Sequence, residues 1–209
     1  MWATMNNGLL VFTGAGVSRE SGIPTFVELG DLREKLSRTY FRNNPRDLFD
    51  ILLMFKDKVK DAIPNDAHVS IAECGCRVIT MNIDSLHQKA GSKQVIDIHG
   101  NLDEVYCPQC GERHNFEHVR SQMKCQSCNR IYEPEVVLYE DGLDQLPEAL
   151  QWVDEAQHLL VIGTSFYTST ASYIVDRAQK NGIEVTIINE EAAVKVPLFI
   201  KHYLEKTNL

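Results

Sequence analysis

The chain has 209 residues, of which 44% are hydrophobic and 24% charged, and its formal net charge is −8 at pH 7. This composition indicates a globular protein with its own hydrophobic core and excludes a disordered, fibrous or coiled-coil chain. No apolar run reaches the ~20 residues that a membrane-spanning helix needs, and the apolar stretch at 9–12 is too short for a secretory signal. We therefore expect a cytoplasmic protein that does not bind a membrane.

Six short runs rich in Val, Ile and Leu predict β-strands, and helix-like stretches lie between several of them. Most of these runs are apolar throughout, as expected when both faces of a parallel sheet are covered by helices. The chain is therefore predicted to form a doubly wound, Rossmann-like α/β sheet. The strands are predicted at 9–13, 77–81, 95–98, 136–139, 159–162 and 184–188, and the helices at 47–62, after 64–66, and at 147–156, 169–181 and 198–205.

Four of the six cysteines have the spacing C-x2-C-x14-C-x2-C, and they are Cys107, Cys110, Cys125 and Cys128. Each C-x2-C pair directs two sulfurs at one point, so two facing pairs predict a tetrahedral zinc site. The alternatives are two disulfides or four buried thiols, which the absence of an export signal disfavours. The remaining pair, Cys74 and Cys76, is interpreted as two small buried hydrophobic residues.

The predicted elements divide the chain into an α/β domain with two insertions. Residues 1–22, 67–106 and 129–209 are assigned to the Rossmann-like domain. Residues 107–128 are assigned to a zinc-binding module, and residues 23–66 to a loop followed by a helical excursion. Ligands of such domains bind beyond the carboxyl ends of the strands, and polar residues follow five of the six predicted strands.

A glycine-rich turn follows the first predicted strand. Gly14-Ala15-Gly16 would let the backbone approach a pyrophosphate at a helix N-terminus. The turn lacks the third glycine of the dinucleotide-binding fingerprint, however, so by itself a plain tight turn is an equally good interpretation.

This turn is the first of a series of short motifs that run along essentially the whole chain. In order they are G-A-G-x-S-x-x-S-G-I-P-x-F at 14–26, P-N-x-A-H at 64–68, N-I-D-x-L-H at 82–87, H-G at 99–100, the cysteine quartet, V-V-x-aromatic at 136–139, G-T-S at 163–165 and I-N-E at 188–190. The ordered set resembles the sirtuins, which are NAD-dependent protein-lysine deacylases. The resemblance implies NAD and one structural zinc ion per chain as cofactors.

The resemblance implies catalytic roles for three residues. His99 corresponds to the general base that takes a proton from the nicotinamide ribose, and an imidazole is suited to proton transfer near neutral pH. Asn82 and Asp84 correspond to the pair that surrounds the ribose while positive charge develops at C1′. Asp84 can also cap a helix at 85–90, and both roles can be filled at once. His68 and His87 are interpreted as packing or hydrogen-bonding residues.

The same resemblance implies a cofactor site and a peptide site. Residues 23–26 belong to the flexible loop that closes over nicotinamide. The implied cofactor-binding residues are Gly14, Ala15, Gly16, Ser18, Ile23, Pro24, Phe26, Met81, Asn82, Ile83, Asp84, Gly163, Thr164, Ser165, Asn189 and Glu190. Val136, Val137 and Tyr139 are expected to capture an extended acyl-lysine peptide by strand addition, with a plain core strand as the alternative.

Three positions depart from the sirtuin pattern. Val27 stands where the family has Arg, so we expect weak NAD binding that Val27→Arg would tighten by roughly tenfold. Met81 replaces a glutamine and removes a polar contact from the ribose and nicotinamide pocket. Glu140 replaces a glycine, and a residue with a side chain adopts glycine's left-handed backbone only at a cost.

Charge is distributed unevenly along the chain. Residues 131–176 contain nine acidic residues and no Lys or Arg. An acidic rim around the peptide site would attract acyl-lysine peptides with basic flanks, and a solvated acidic face is the alternative. The acidity argues against nucleic acid as a partner.

Two other functions stay open on the sequence. An NAD glycohydrolase or mono-ADP-ribosyltransferase would use the same glycosidic cleavage with a different acceptor. A binding module that senses NAD, with weak catalysis, is the third possibility. An intact peptide strand and His99 favour deacylation.

Overall fold

The structure is a computed structural model that describes residues 8–24, 32, 34–166 and 168–207. Phe26 and Val27 lie outside the described residues, so their expected roles stay predictions. The described strands are β1 (Leu9–Thr13), β2 (Arg77–Thr80), β3 (Val95–Asp97), β4 (Glu104–Tyr106), β5 (Arg113–Asn115), β6 (Glu133–Pro134), β7 (His158–Ile162) and β8 (Glu184–Ile188). The described α-helices are α1 (Arg38–Asn43), α2 (Pro45–Lys60), α3 (Asp66–Cys74), α4 (Leu86–Ala90), α5 (Leu146–Asp154), α6 (Ser169–Lys180) and α7 (Ala192–Thr207), and short 3-10 helices span Ala15–Ser21 and Phe116–Arg120.

The larger sheet has five parallel strands in the order β3-β2-β1-β7-β8. Thr13, the last residue of β1, pairs with Thr80 of β2 and Ile162 of β7, so these three strands end at the same edge. The chain reverses its direction of travel across the sheet between β1 and β7, which creates the crevice where such sheets bind ligands. The doubly wound α/β fold is confirmed.

The first four residues of β1 are apolar because the strand contributes to two cores. Leu9 and Val11 pack in one hydrophobic cluster with residues of α3 and α7. Leu10 and Phe12 pack in another cluster with residues of α5 and α6. Side chains alternate between the faces of a strand, so a strand covered on both faces has no polar positions.

Helix α7 begins at Ala192, six residues before the position predicted for it, and continues through Pro197. Proline removes one intrahelical hydrogen bond, which normally ends or kinks a helix. Burial of Val196 and Ile200 against the sheet offsets this loss. Within the described residues, no helix has the length and apolar character needed to span a membrane.

The smaller sheet has three antiparallel strands in the order β5-β4-β6. Its core is shared with α2, where Phe49 packs edge-on against Phe116 at a centroid distance of 6.0 Å. Two of its strands, β4 and β6, flank residues 107–128, and the domain boundaries proposed above stay a prediction.

The predicted strand at 136–139 is not a regular strand, and that prediction was wrong. The segment makes one isolated parallel bridge, between Tyr139 and Ser37, while the Val137 N–H donates to the His99 carbonyl at 2.9 Å. Because it pairs first with one segment and then with another, no continuous ladder forms. Burial still alternates, with Val136 and Leu138 buried and Tyr139 45% exposed.

The interpretation of Cys74 and Cys76 as unpaired residues was also wrong. The structure joins them in a disulfide, and Cys76 itself is buried. Helix α3 ends at Cys74, and Gly75 has a φ of 69°, which turns the chain back on itself. The two Cα atoms therefore lie 5.3 Å apart, within the range that a disulfide spans.

Candidate active site

A cavity of about 790 Å³ lies beyond the carboxyl ends of β1, β2, β7 and β8. Its volume is within the range of small-molecule and cofactor sites, and its position is the one expected for a doubly wound sheet. Most of the site residues expected from the sequence line it. They are Gly14, Ala15, Gly16, Ile23, Pro24, Met81, Asn82, Ile83, Asp84, His99, Val136, Val137, Tyr139, Gly163, Thr164, Ser165 and Asn189.

Of the expected site residues that the structure describes, two do not line the cavity. Ser18 is fully buried beneath it, and Glu190 is exposed outside it. Arg19, which the sequence offers as an alternative cation for the phosphates, also lines the cavity, as do the α2 residues Phe55 and Val59, which were not predicted there. The helical spacing of Phe55 and Val59 marked them as apolar, but only their packing shows that they face the cavity.

The glycine-rich turn packs directly against the turn that follows β7. The Gly16 N–H donates to the Gly163 carbonyl at 2.8 Å, and a Cβ added to Gly16 would lie 2.6 Å from the Gly163 Cα. Gly163 itself has a φ of 62°, a conformation that favours glycine. The two turns can meet at the cavity floor because the residues in contact, Gly16 and Gly163, have no side chain.

Asn82 and Asp84 follow β2 and are held by Ser18 from below. The Ser18 hydroxyl donates to Asp84 Oδ2 at 2.7 Å, and Asn82 Nδ2 donates to Ser18 Oγ at 3.1 Å. The other carboxylate oxygen, Asp84 Oδ1, accepts from the Leu86 N–H at 2.9 Å. The N-cap of α4 is Ser85, so Asp84 binds the first N–H of the helix from the position before the cap. Both side chains are buried with their polar ends fixed, yet both line the cavity.

Two buried histidines lie behind this pair, as packing and hydrogen-bonding residues. His68 Nδ1 is hydrogen-bonded to Asn65 Oδ1 at 3.1 Å. His87 Nε2 is hydrogen-bonded to the Thr13 hydroxyl at 3.0 Å. The rings of His68 and His87 have centroids 4.9 Å apart. Burial lowers the pKa of both, and that of His87 falls to about 3 with a further contribution from His68. The pair therefore adds no positive charge beneath Asp84 at neutral pH.

His99 follows β3 at the cavity wall. Its Nδ1 lies 3.2 Å from the Met81 carbonyl oxygen, which can only accept, so Nδ1 carries the proton. Nε2 then has a lone pair and has no hydrogen-bond partner among the described residues. Burial lowers the pKa of His99 below its ordinary value, against a smaller opposing effect of the Met81 hydrogen bond. A neutral imidazole with one free nitrogen can accept a proton.

The residue after His99 is Gly100, and the backbone around it has no room for a side chain. Its φ is 68°, and an added Cβ would lie 1.9 Å from the Glu135 carbonyl oxygen. A side chain at this position would push the segment at 135–137 away from His99.

The cavity lining is polar at one end and apolar at the other. At the polar end, Asn189 Oδ1 accepts from the Thr164 N–H at 3.0 Å, and Ser165 and Arg19 are exposed beside it. Hydroxyl, amide and guanidinium groups are the donors that a dinucleotide's phosphates and riboses require. The donor set therefore fits NAD. The apolar end is formed by Phe55, Val59, Ile83, Leu102, Val136 and Leu138.

The cysteine quartet comes together in the smaller sheet, where its four Sγ atoms lie within 4.8 Å of one another. Zn–S bonds of ≈2.3 Å in a tetrahedron separate the sulfurs by about 3.8 Å, and the Cys110 and Cys125 sulfurs are 3.7 Å apart. The two C-x2-C turns close in the same way. The Gly111 N–H donates to the Cys107 carbonyl and the Asn129 N–H to the Cys125 carbonyl, each at 2.9 Å, and both Gly111 and Asn129 have a positive φ. The quartet therefore fits one structural zinc ion.

The acidic segment at 131–176 is less acidic in space than in sequence. Five of its nine acids form ion pairs with four arginines, all of which lie outside the segment, so the expectation of nine uncompensated acids was wrong. The pairs are Arg38–Glu133, Arg38–Asp141, Arg113–Glu135, Arg77–Glu155 and Arg177–Asp154. Glu140 is the acid that lines the cavity without an arginine or lysine partner among the described residues.

A doubly wound sheet with a donor-lined cavity, a buried Asn–Asp pair and a neutral imidazole defines a dinucleotide-binding protein equipped for acid–base chemistry. The model of the Sir2 family matches residues 14–170. The chain belongs to the Sir2 family.

Curated relatives and solved structures agree over nearly the whole chain. An NAD-dependent protein deacetylase of Clostridium acetobutylicum is 36% identical over 90% of this chain and 84% of its own length. An NAD-dependent protein deacylase 2 of Archaeoglobus fulgidus is 37% identical over 91% and 83%. The crystal structure of a Sir2 homologue–NAD complex superposes with a TM-score of 0.85 at 27% identity, covering 98% of this chain and 93% of that one. A Sir2 complex with an inhibitor, 2′-O-acetyl-ADP-ribose and deacetylated p53 peptide has a TM-score of 0.79 at 28% identity, covering 96% and 94%.

Proposed function

We propose that this protein is an NAD-dependent protein-lysine deacylase that releases nicotinamide and 2′-O-acyl-ADP-ribose. The observation that carries the proposal is that one cavity brings together His99, the Asn82–Asp84 pair and the segment at 136–139. When bound, NAD supplies a nicotinamide leaving group and the electrophilic ribose carbon C1′. The names of the relatives and the acetyl-ADP-ribose in a Sir2 structure support this reaction.

His99 serves as the general base. Its Nε2 accepts the proton of a ribose hydroxyl, while the Met81 carbonyl holds Nδ1–H and thereby fixes the ring orientation. Because its pKa is lowered by burial, the imidazole is neutral at the start of the reaction.

Asp84 and Asn82 supply electrostatic stabilisation. Ser18 and the Leu86 N–H hold the Asp84 carboxylate in place, so no reorganisation is needed as positive charge develops near it. Asn82 is oriented twice, by its side-chain bond to Ser18 and by its N–H, which donates to Thr80 Oγ1 at 3.0 Å.

The test is mass spectrometry of acyl-lysine peptides incubated with the protein and NAD. Deacylation yields nicotinamide, 2′-O-acyl-ADP-ribose and the peptide with its lysine side chain deacylated. NAD hydrolysis alone would yield ADP-ribose with the peptide unchanged, and ADP-ribosyl transfer would add mass to the protein acceptor. Met81 in place of the family's glutamine is the observation that favours these second candidates.

Arg19 is proposed to supply positive charge for the cofactor phosphates. It lines the cavity beside the glycine-rich turn and forms no ion pair with any described residue. Because a charge-assisted hydrogen bond contributes ~1.5 to 3 kcal/mol, Arg19→Ala should weaken NAD binding by roughly tenfold or more in calorimetric titration. Arg46→Ala on α2, outside the cavity, is the matched control. Equal NAD affinity in the Arg19 variant and the control would rule out this role.

Peptides with basic flanks are proposed as preferred substrates. The support for this preference is the negative charge of Glu140, which lines the cavity and is not paired with an arginine or lysine among the described residues. Steering by a surface charge is screened over about 8 Å at physiological ionic strength, so the preference should shrink as salt is added. Competing acetyl-peptides with lysine flanks and with glutamate flanks at low and high salt would measure it. Equal rates for the two peptides at low salt would contradict the proposal.

A cytoplasmic location is also proposed. Its support is the quartet of unpaired cysteines, since zinc thiolates persist in reducing surroundings; the Cys74–Cys76 disulfide is the observation that opposes it, because disulfides are rare in cytosolic proteins. Fractionation of cells followed by immunodetection tests it, and recovery outside the cytoplasmic fraction would refute it.

A further inference from the structure

The end of the segment at 136–139 is a tight turn in which Glu140 occupies a position suited to glycine. The Asp141 N–H donates to the Leu138 carbonyl at 3.1 Å, which closes a four-residue turn over 138–141. Glu140 is the third residue of that turn and has a φ of 78°. Turns with a positive φ at the third position normally place Gly or Asn there, because a side chain is disfavoured in that conformation. Something else must hold this backbone in place.

The Glu140 side chain is bound to helix α1. Its Oε2 accepts from the Thr39 N–H at 3.1 Å and from the Thr39 hydroxyl at 2.7 Å. Thr39 lies 101 positions earlier in the chain, in the first turn of α1. The carboxylate therefore receives two hydrogen bonds from helix α1.

The neighbouring residues join the same two segments. The Arg38 N–H donates to the Tyr139 carbonyl, and the Tyr139 N–H donates to the Leu36 carbonyl, each at 2.9 Å. The Arg38 guanidinium donates to both oxygens of Asp141 at 2.7 and 2.8 Å. Glu140 and Asp141 thus hold the turn to the segment at 36–39 from two adjacent positions.

The main chain of Glu140 itself stays open. Leu138 is not available to a partner, because its N–H donates to Asp141 Oδ2 and its carbonyl accepts from the Asp141 N–H. The N–H and carbonyl of Glu140 have no hydrogen-bond partner within the described part of the chain. Glu140 also lines the cavity. Its main-chain groups are therefore positioned to pair with an extended chain that enters there.

We propose that Glu140 is a positioning residue for the peptide: its carboxylate, held by Thr39, fixes the left-handed turn so that its open main-chain groups face the incoming substrate. The proposal rests on the proposed function, in that an acyl-lysine peptide is the ligand. A glycine at this position would adopt the turn without strain but could not be bound to α1 by a side chain, whereas Glu140 can.

Four variants separate the hydrogen bonds from the charge. Glu140→Ala removes the acceptor, and Thr39→Val removes one donor while the charge of Glu140 is retained. Glu140→Gln retains an acceptor oxygen without the charge. Asp144→Asn removes one charge from the same exposed acidic segment and is the matched control. The probe is a fluorescent acetyl-lysine peptide with uncharged flanks, measured by anisotropy for Kd and by turnover for KM and kcat.

Glu140→Ala removes both hydrogen bonds to Thr39 and should raise the peptide Kd and KM by about five- to tenfold. Thr39→Val removes only the hydroxyl bond and should raise them by about threefold. Glu140→Gln should stay within about twofold of the parent, because an amide oxygen accepts the same bonds. The kcat and the KM for NAD should change by less than about twofold in every variant, which distinguishes positioning from a loss of fold or of chemistry.

A parent-like peptide Kd in Glu140→Ala would overturn the proposal, and so would a Glu140→Gln variant as weak as Glu140→Ala, since charge would then be the cause. If the parent binds the peptide with the expected variant series but does not deacylate it, the proposed function fails and the role of Glu140 stands. If the parent deacylates the peptide and the variants do not differ, only the role of Glu140 fails. A parent that does not bind the peptide refutes both.

Discussion

His99→Ala should lower the deacylation rate by a factor of ~10² or more while NAD binding is retained, because the variant removes the general base without touching the phosphate end of the cavity. The measurement is single-turnover deacylation of an acetyl-peptide alongside calorimetric titration with NAD. His202→Ala, which changes an exposed histidine of α7, is the control for loss of any histidine. A His99→Ala protein that deacylates at the parent rate would refute the assignment of the base.

The pH profile provides a second measurement of the same role. The base works only when neutral, and burial holds the pKa of His99 below its ordinary 6.5. Activity should therefore be retained at pH 7 and fall to half only at a pH below 6.5. The residual activity of His99→Ala should not decline over the same pH range. An acid limb above pH 6.5 in the parent would contradict the buried, neutral imidazole.

Removal of zinc should unfold the smaller sheet and aggregate the protein. The free energy of structural zinc binding, about 10 to 16 kcal/mol, is comparable to or larger than the whole stability of a typical domain, about 5 to 15 kcal/mol. The core of this sheet is continuous with α2, which also forms the cavity wall at Phe55 and Val59, so activity should be lost together with the fold. Thermal denaturation before and after chelation, with metal analysis, measures both effects.

The double variant Cys74→Ser/Cys76→Ser is the matched control, because it removes two cysteines and leaves the quartet intact. It should retain one zinc ion per chain and remain sensitive to the chelator. Cys128→Ser should lose the zinc and behave like the chelated protein. Folded, active protein that contains no zinc would refute the structural role of the quartet.

Some features followed from the sequence because they depend on local spacing. The sheet strands at 9–13 and 184–188 were predicted to the residue. The first is an apolar run, buried throughout, that ends at Thr13, and the second is a β-branched run from Val185 to Ile188 preceded by Glu184. The zinc site was predicted from the C-x2-C pairs because a knuckle is a local turn that directs both of its sulfurs the same way. The motifs that resemble the sirtuins are local in the same sense.

The segment at 136–139 shows where local spacing is insufficient. Its alternating apolar residues are compatible with a strand, but a strand exists only if a neighbour continues alongside it. Here the neighbours are two different segments, which meet Val137 and Tyr139 in turn. The sequence carries no local signal for that change of partner.

By itself, the sequence determined the family, the parallel sheet, the zinc quartet and which polar residues gather at the carboxyl ends of the strands, because each of these depends on residues close together in the chain or on the common edge of the sheet. Only the tertiary structure decided that Ser18 supports Asp84 from below instead of facing the cavity, that arginines pair with five of the nine acids of the acidic segment, and that Glu140 is held by Thr39. These are contacts between side chains 22 to 103 positions apart. Such pairs are brought together by the packing of whole elements, so no pattern in either segment specifies them.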